Sequence, residues 1–276
     1  MPVKMIVSDI DGTLVGKSGK LTKRLIDALN ECKKRNIHVV LASGRTFYGA
    51  REIALEAGID CPIISANGGR CDMFISGEEK PVYEDTLDKE TSMKVYGILK
   101  EAGCFMTSYV GKNIYALNET NGFGSKGVKT SEVFKEPNGH VIMDDEKRFY
   151  EEGTNVPYKY EAYTDDVSLM DKLRNELSAM GLSVSSAFPY NLEILSPGGG
   201  KGKAIVSLAK IFGIDINDVM AMGDGSNDLG MISVSGYSVA MGNAVEVLKK
   251  AAKYIAPDVD EDGAAIMIEK LALSEE

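Results

Sequence analysis

Two aspartates separated by a single residue, Asp9 and Asp11, follow the apolar run MIVS in the segment VSDIDGTLV, and Gly12 permits a sharp turn directly after them. At the carboxyl edge of a buried strand, where ligand sites of open α/β sheets lie, two carboxylates this close repel. At least one must bind a cation or keep a proton. The alternative is a strand-ending turn capped by aspartate. Three other segments bear on that choice. Ser43-Gly44-Arg45 follows a second apolar run and offers a hydroxyl and main-chain N–H groups to a phosphate oxygen, or an N-cap to the helix that begins near Thr46. GDGSND puts Asp224 in a turn and Asp228 in the first helical turn beyond it, places where aspartate also serves capping and the helix dipole. In PGGGKGKA, Lys201 shares a helix face with Ile205 and Leu208, whereas Lys203 lies with Ser207 and Lys210. Lys201 therefore points toward the sheet, where a lysine among carboxylates can act as counter-ion to both a phosphate and a nucleophile. Lys203 reads as a solvated surface charge.

The elements that must carry these residues alternate. Met5 to Ser8 is a short apolar strand; Leu21, Leu25, Leu29 and Cys32 form a helical stripe; Ile37 to Ala42 is the next strand. A helix from Thr46 to Ala57 stops at Gly58, before a strand from Pro62 to Ser65. In the last third, helix Lys201 to Phe212, strand Val219 to Gly223, helix Asn227 to Ser233 and strand Tyr237 to Met241 repeat the pattern. Such alternation predicts an α/β, Rossmann-like parallel sheet with helices on both faces. The middle differs. A strand near Val82, a helix from Asp88 to Ala102, a stop at Gly103 and a strand from Cys104 to Tyr109 are echoed 78 residues later. The echo runs through Tyr158 to Tyr163, the stripe Met170, Leu173, Leu177 and Met180, the stop Gly181 and the strand Leu182 to Ser185. This reads as a duplicated βαβ unit in an inserted α+β domain at 83–188, with a catalytic core at 1–82 and 189–276.

The segments DIDGTL, ASGR, SPGGGKGKA and GDGSNDLGM, in that order and spacing, resemble the four motifs of the haloacid dehalogenase superfamily, in particular its Cof-type phosphatases with a type IIB cap. SANGG at Ser65 to Gly69, VAMGNA at Val239 to Ala244 and EDGAA at Glu261 to Ala265 extend the likeness over essentially the whole chain. The inserted domain matches in element order alone. The resemblance implies that Asp9 is the nucleophile, forming an aspartyl-phosphate. It implies that Asp11 protonates the leaving oxygen and then deprotonates the hydrolytic water. Mg²⁺ would lie on the carboxylates of Asp9 and Asp224 and the main-chain carbonyl of Asp11, with Asp228 just behind. Ser43, Gly44, Lys201 and Asn227 would hold the phosphoryl oxygens. Two departures stand out, Ser43 where many relatives carry threonine and three successive glycines before Lys201; neither removes a functional group. The implied activity is a Mg²⁺-dependent phosphatase acting on a small phosphorylated metabolite such as a sugar phosphate, with the cap closing to exclude water and select the leaving group. A phosphomutase of the same superfamily and a phosphoaspartate signalling module are the competing readings. Asp11 argues against the second, because a general base two residues from the nucleophile makes the phosphoaspartate short-lived.

Composition agrees with small-molecule chemistry. The 276 residues carry a net charge of −10, are 44% hydrophobic and 26% charged, and contain no Trp. No dense Lys/Arg block offers a footprint for nucleic acid or anionic lipid. Four cysteines without a C-x-x-C pair, no long apolar run and no secretory-type start suit a reduced, cytoplasmic protein without a membrane span. Two histidines exclude three-histidine zinc sites. The oligomeric state is not written in these patterns. Three motifs mislead. DVDEDGAAIMIE at 258–269 fits the calcium-loop spacing, but Pro257 stands where an entering helix should end and Ile266 occupies the ninth position, so an acidic helix N-terminus is the better reading. Gly122, Gly124 and Gly127 spell GxGxxG without a strand-to-helix turn and read as a loop. GGGKGKA fails as a P-loop, having Pro197 for the first glycine and Ala204 where Ser or Thr is needed.

Overall fold

A computed structural model describes residues 3–75, 77–111, 113–117, 140–143, 156–186 and 188–274. In chain order the first elements are β1 (Met5–Ser8), α1 (Lys23–Lys34), β2 (His38–Ala42), α2 (Phe47–Glu56), β3 (Ile63–Ser65), β4 (Arg70–Ile75) and β5 (Glu78–Glu84). Then come α3 (Lys89–Glu101), β6 (Phe105–Val110), β7 (Asn113–Leu117), β8 (His140–Met143), β9 (Lys159–Tyr163), α4 (Val167–Ala179), β10 (Leu182–Ser185) and β11 (Asn191–Pro197). The chain finishes with α5 (Lys201–Phe212), β12 (Val219–Gly223), α6 (Leu229–Val234), β13 (Tyr237–Ala240), α7 (Glu246–Ala251), β14 (Tyr254–Ile255) and α8 (Gly263–Ile268). Two compact units emerge, 1–83 with 200–276, and 84–199.

The first unit holds an eight-stranded sheet in the order β14-β13-β12-β1-β2-β3-β4-β5. From β14 to β3 every neighbouring pair is parallel; β4 runs antiparallel to β3. Every residue of β1 and β12 is buried, as a strand covered on both faces must be. Thr22 caps α1 by accepting from the Leu25 N–H, which aims Leu25, Ala28, Leu29 and Cys32 into the core. Here α1 packs on α8, while α5 packs on α6 and α6 on α7. Because β1, β2, β3 and β12 are parallel, the loops after all four open on one sheet edge; DIDGTL, ASGR, SANGG and GDGSNDLGM follow these strands, and SPGGGKGKA leads into α5.

The second unit holds a six-stranded sheet, β10-β11-β9-β6-β7-β8, antiparallel except between β7 and β8. Val95 and Leu99 of α3 and Met170, Leu173 and Leu177 of α4 pack on Met106, Tyr160, Ala162, Leu192 and Ile194 in one apolar cluster. Gly103 and Gly181 end the two helices with positive φ, 68° and 83°, a conformation that favours glycine. Two expectations need correcting. The strand at Val82 belongs to β5, at the edge of the first unit's sheet, so of the two expected βαβ units only the second, β9–α4–β10, has both its strands in the second unit's sheet. Residues 189–199, expected in the core domain, belong to the second unit, because β11 pairs with β9 and β10. Its continuity with the PGGGK motif hides this in the sequence, since strand pairing is a long-range property. The GxGxxG segment lies outside the described residues.

Candidate active site

The order of parallel strands assembles the site. Main-chain N–H of Asp9, the first residue beyond β1, donates to the Met222 carbonyl of β12 at 3.0 Å, locking the two loops in register. Gly12 has φ +82°, and a Cβ there would collide with the Asp224 carboxylate, so the loop after β1 can approach β12 only with glycine at this position. Thr13 Oγ1 donates to Asp224 Oδ1 at 3.3 Å, and Asn243 Nδ2 to the Gly12 carbonyl at 2.8 Å.

Lys201 opens α5 and is fully buried. Its Nζ donates to Asp9 Oδ1 at 2.6 Å and Asp228 Oδ1 at 2.7 Å. The other oxygen of Asp228 accepts the N–H groups of Asp224 and Gly225, at 3.0 and 2.9 Å. Asp228 is therefore a brace that holds Lys201 on one side and shapes the Asp224 turn on the other. Carboxylate oxygens of Asp9, Asp224 and Asp228 lie within 4.8 Å of one another. Burial is the main force on Asp9, raising its pKa; Lys201 opposes, Asp228 and Asp224 add to the rise, and the result is about 7. Asp224 is pushed up to about 6, by burial and then by Asp228. Burial works against the Lys201 charge, yet Asp228 and Asp9 outweigh it and hold the ammonium pKa above its usual range. One ammonium among three crowded carboxylates leaves negative charge unbalanced, and the all-oxygen donor set suits a hard divalent cation.

Ser43 is buried directly after β2, its Oγ accepting from the Arg45 N–H at 3.1 Å. Its carbonyl accepts from the Asn67 N–H at 2.9 Å, and a Cβ on Gly44 would press on Asn67 Oδ1 at 3.2 Å. Asn227 Nδ2 donates to that same Asn67 oxygen at 3.0 Å. Asp11 stands apart from the acidic cluster: its carboxylate is gripped by Arg45, Nε to Oδ2 at 2.8 Å and Nη2 to Oδ1 at 2.6 Å. Lys203 is exposed, as its helix face requires.

Sequence reasoning passed over four contributors: Thr13, Arg45's side chain, Asn67 and Asn243. The signal for Asn67 in the sequence is the turn-forming N-G-G at 67–69, and in the structure Ala66 and Asn67 both take left-handed φ, 49° and 56°, before Gly68. A left-handed alanine is strained, which marks this turn as held by its surroundings. The calcium-like segment is spent on other partners: Asp258 caps a turn at Asp260 N–H, Asp260 accepts from Lys17 N–H, and Asp262 takes the Thr22 hydroxyl at 2.5 Å. All four cysteines are buried free thiols, Cys32 pushed up to about 11 and Cys61 to about 12 by burial, which leaves them unreactive. Among the described residues no helix is long and apolar enough to cross a membrane.

A family model described as haloacid dehalogenase-like hydrolase matches residues 6–268. Bacillus subtilis 5-amino-6-(5-phospho-D-ribitylamino)uracil phosphatase YwtE is 27% identical over 98% of this chain and 98% of its own. A crystal structure of a haloacid dehalogenase-like hydrolase from Bacteroides thetaiotaomicron is 31% identical, with a TM-score of 0.76 over 97% of this chain and 98% of that one. The subclass IIB sugar phosphatase BT4131 shares the fold at 23% identity, with a TM-score of 0.78 over 98% of this chain and 100% of that one.

Proposed function

The chain belongs to the haloacid dehalogenase-like hydrolases, and from that premise we propose a Mg²⁺-dependent phosphatase that hydrolyses a small phosphorylated metabolite through an aspartyl-phosphate on Asp9. The observation that carries the reading is the buried Asp9–Lys201–Asp228 chain, beside Asp224, at the carboxyl ends of β1 and β12. A lysine held at 2.6 Å from a carboxylate that lies nine-tenths out of solvent keeps that carboxylate fixed and usable as a nucleophile.

In the first half-reaction an oxygen of Asp9 bonds to phosphorus, the bond from phosphorus to the leaving oxygen breaks, and Asp11 gives that oxygen a proton. In the second, water bonds to phosphorus, Asp11 takes the water's proton, and the bond from phosphorus to Asp9 breaks, releasing phosphate. Ser43, Gly44, Lys201 and Asn227 position the phosphoryl group; Asn67, which joins the loops of Ser43 and Asn227, keeps them in register. Asp9, Asp224 and the main-chain carbonyl of Asp11 would hold Mg²⁺, with Asp228 behind them. When bound, the ion supplies positive charge against the crowded carboxylates and the phosphoryl oxygens.

The 84–199 unit is, on this reading, the cap that selects substrates. A sugar phosphate or related phosphorylated polyol is the favoured class, since the Bacillus relative is named for a phosphoribityl substrate. Phosphate release from a panel of phosphorylated metabolites, with and without Mg²⁺, tests the proposal. Asp9→Asn should lose at least about 10³-fold in kcat, as enzymes do without their nucleophile. Unchanged turnover in that variant removes Asp9 as nucleophile. Isomerised sugar phosphate without free phosphate would instead identify a mutase.

A further inference from the structure

We propose that Arg45 is a positioning residue for Asp11, acting on turnover through that carboxylate rather than through the substrate. The inference rests on the phosphatase reading above. Asp11 projects from a loop and its side chain is 59% exposed, so water alone would leave its oxygens free to reorient. The Arg45 guanidinium removes that freedom by meeting both oxygens at once, at 2.6 and 2.8 Å, in the paired geometry only arginine provides. Arg45 is itself fixed. Its N–H donates to Ser43 Oγ, its carbonyl accepts from the Ala66 N–H, and its Nη1 donates to the Gly49 carbonyl at 3.3 Å. The clamp thus ties Asp11, after β1, to the Ser43 loop after β2, and sets the acid–base group against the segment proposed to hold the phosphoryl oxygens. A pair this exposed is weak in water, so Asp11 can give up one contact when a leaving oxygen or a water requires a proton transfer, and return to it afterwards.

The test is a double-mutant cycle with p-nitrophenyl phosphate and Mg²⁺, comparing wild type, Arg45→Gln, Arg45→Lys, Asp11→Asn and the Arg45→Gln/Asp11→Asn double variant. Loss of positioning should lower kcat about 10- to 100-fold in Arg45→Gln, with KM within about twofold. Lysine, a point charge without the fork, should restore part of the loss. In the Asp11→Asn background, Arg45→Gln should cost nothing further, because the group it serves is gone. Additive losses in the double variant, a raised KM at unchanged kcat, or no effect of Arg45→Gln each overturn the assignment. If Asp11→Asn itself turns over like wild type, the acid–base reading falls and takes this inference with it. If Asp11→Asn is impaired and Arg45→Gln is not, only the role of Arg45 falls.

Discussion

Two buried lysines, one in each unit, invite comparison. Lys201 meets Asp9 and Asp228 at 2.6 and 2.7 Å; Lys159 meets Glu161 and Glu193 at 2.5 and 2.7 Å, and both side chains are almost wholly shielded from water. Their surroundings diverge. Around Lys159 the remaining acceptor capacity is filled by protein donors: the hydroxyls of Tyr109 and Tyr163 each reach Glu161 Oε2 at 2.8 Å, and Ser185 Oγ reaches Glu193 at 3.2 Å. Burial disfavours the Glu161 charge, but Lys159 and the two tyrosines prevail and hold its pKa below the ordinary value. Around Lys201 a third carboxylate, Asp224, crowds in, and burial leaves Asp9 at about 7 and Asp224 at about 6. The same ion-pair chemistry is thus closed in one unit and open in the other. An unbalanced acidic cluster is where a cation and a phosphoryl group have something to gain; a saturated one serves structure.

The sharpest way to break this contrast is to remove each ammonium. Lys201→Met and Lys159→Met should each cost about 3–5 kcal/mol in urea unfolding, since each strands buried carboxylates. Mg²⁺ should recover part of the loss in Lys201→Met, where a cation can stand in, and none in Lys159→Met. Equal recovery in both would erase the distinction between the two clusters.

A smaller effect separates the units by pH. Asp9 and Asp224 have raised pKa values against an ordinary 3.8, so between about pH 4 and 7 the folded metal-free chain binds more protons than the unfolded one. Their contribution is greatest on the acid side and falls as pH rises through 6 and 7; Mg²⁺ should flatten that decline, and Mg²⁺ affinity should climb across the same window. Glu161, with its lowered pKa, works the other way. Its contribution is present above its ordinary value of 4.5 and is lost as pH falls. Amide-exchange protection of β1 and β12 against that of β9 and β11 should therefore move in opposite directions with pH. Parallel trends would contradict the comparison.

The smallest change is Tyr109→Phe, which removes one of two tyrosine donors from Glu161. With Lys159 and Tyr163 still in place the loss should be about 1–2 kcal/mol in thermal or urea unfolding. A loss near that of Lys159→Met would show that the second cluster is not saturated.

Where local pattern and global fold coincide, the sequence was legible. The strands that became β1, β2, β3 and β12, and the Lys201 face of α5, were readable because an apolar run or a 3.6-residue stripe is a local property. So was the acidic cluster, since residues that follow parallel strands must share one sheet edge. Partnerships across loops were not. Arg45 read as part of a phosphate loop, and its side chain turned instead to Asp11, 34 positions earlier. Asn67 lay in a segment noted only for its likeness, yet it joins the loops of Ser43 and Asn227. Residues 189–199 were expected with the core, yet 191–197 pair with β9 and β10, because a strand's side-chain pattern shows which faces it buries and carries nothing about its neighbours.

By itself, then, the order of residues determined the α/β architecture, the edge where the acids gather and the chemical groups available there, because backbone periodicity and side-chain type are fixed residue by residue. Tertiary structure decided which acid lies on Lys201, which on Arg45, and why the second unit's lysine is silent. Those outcomes depend on distances of a few ångströms between segments far apart in the chain, and on how much water burial leaves around each charge.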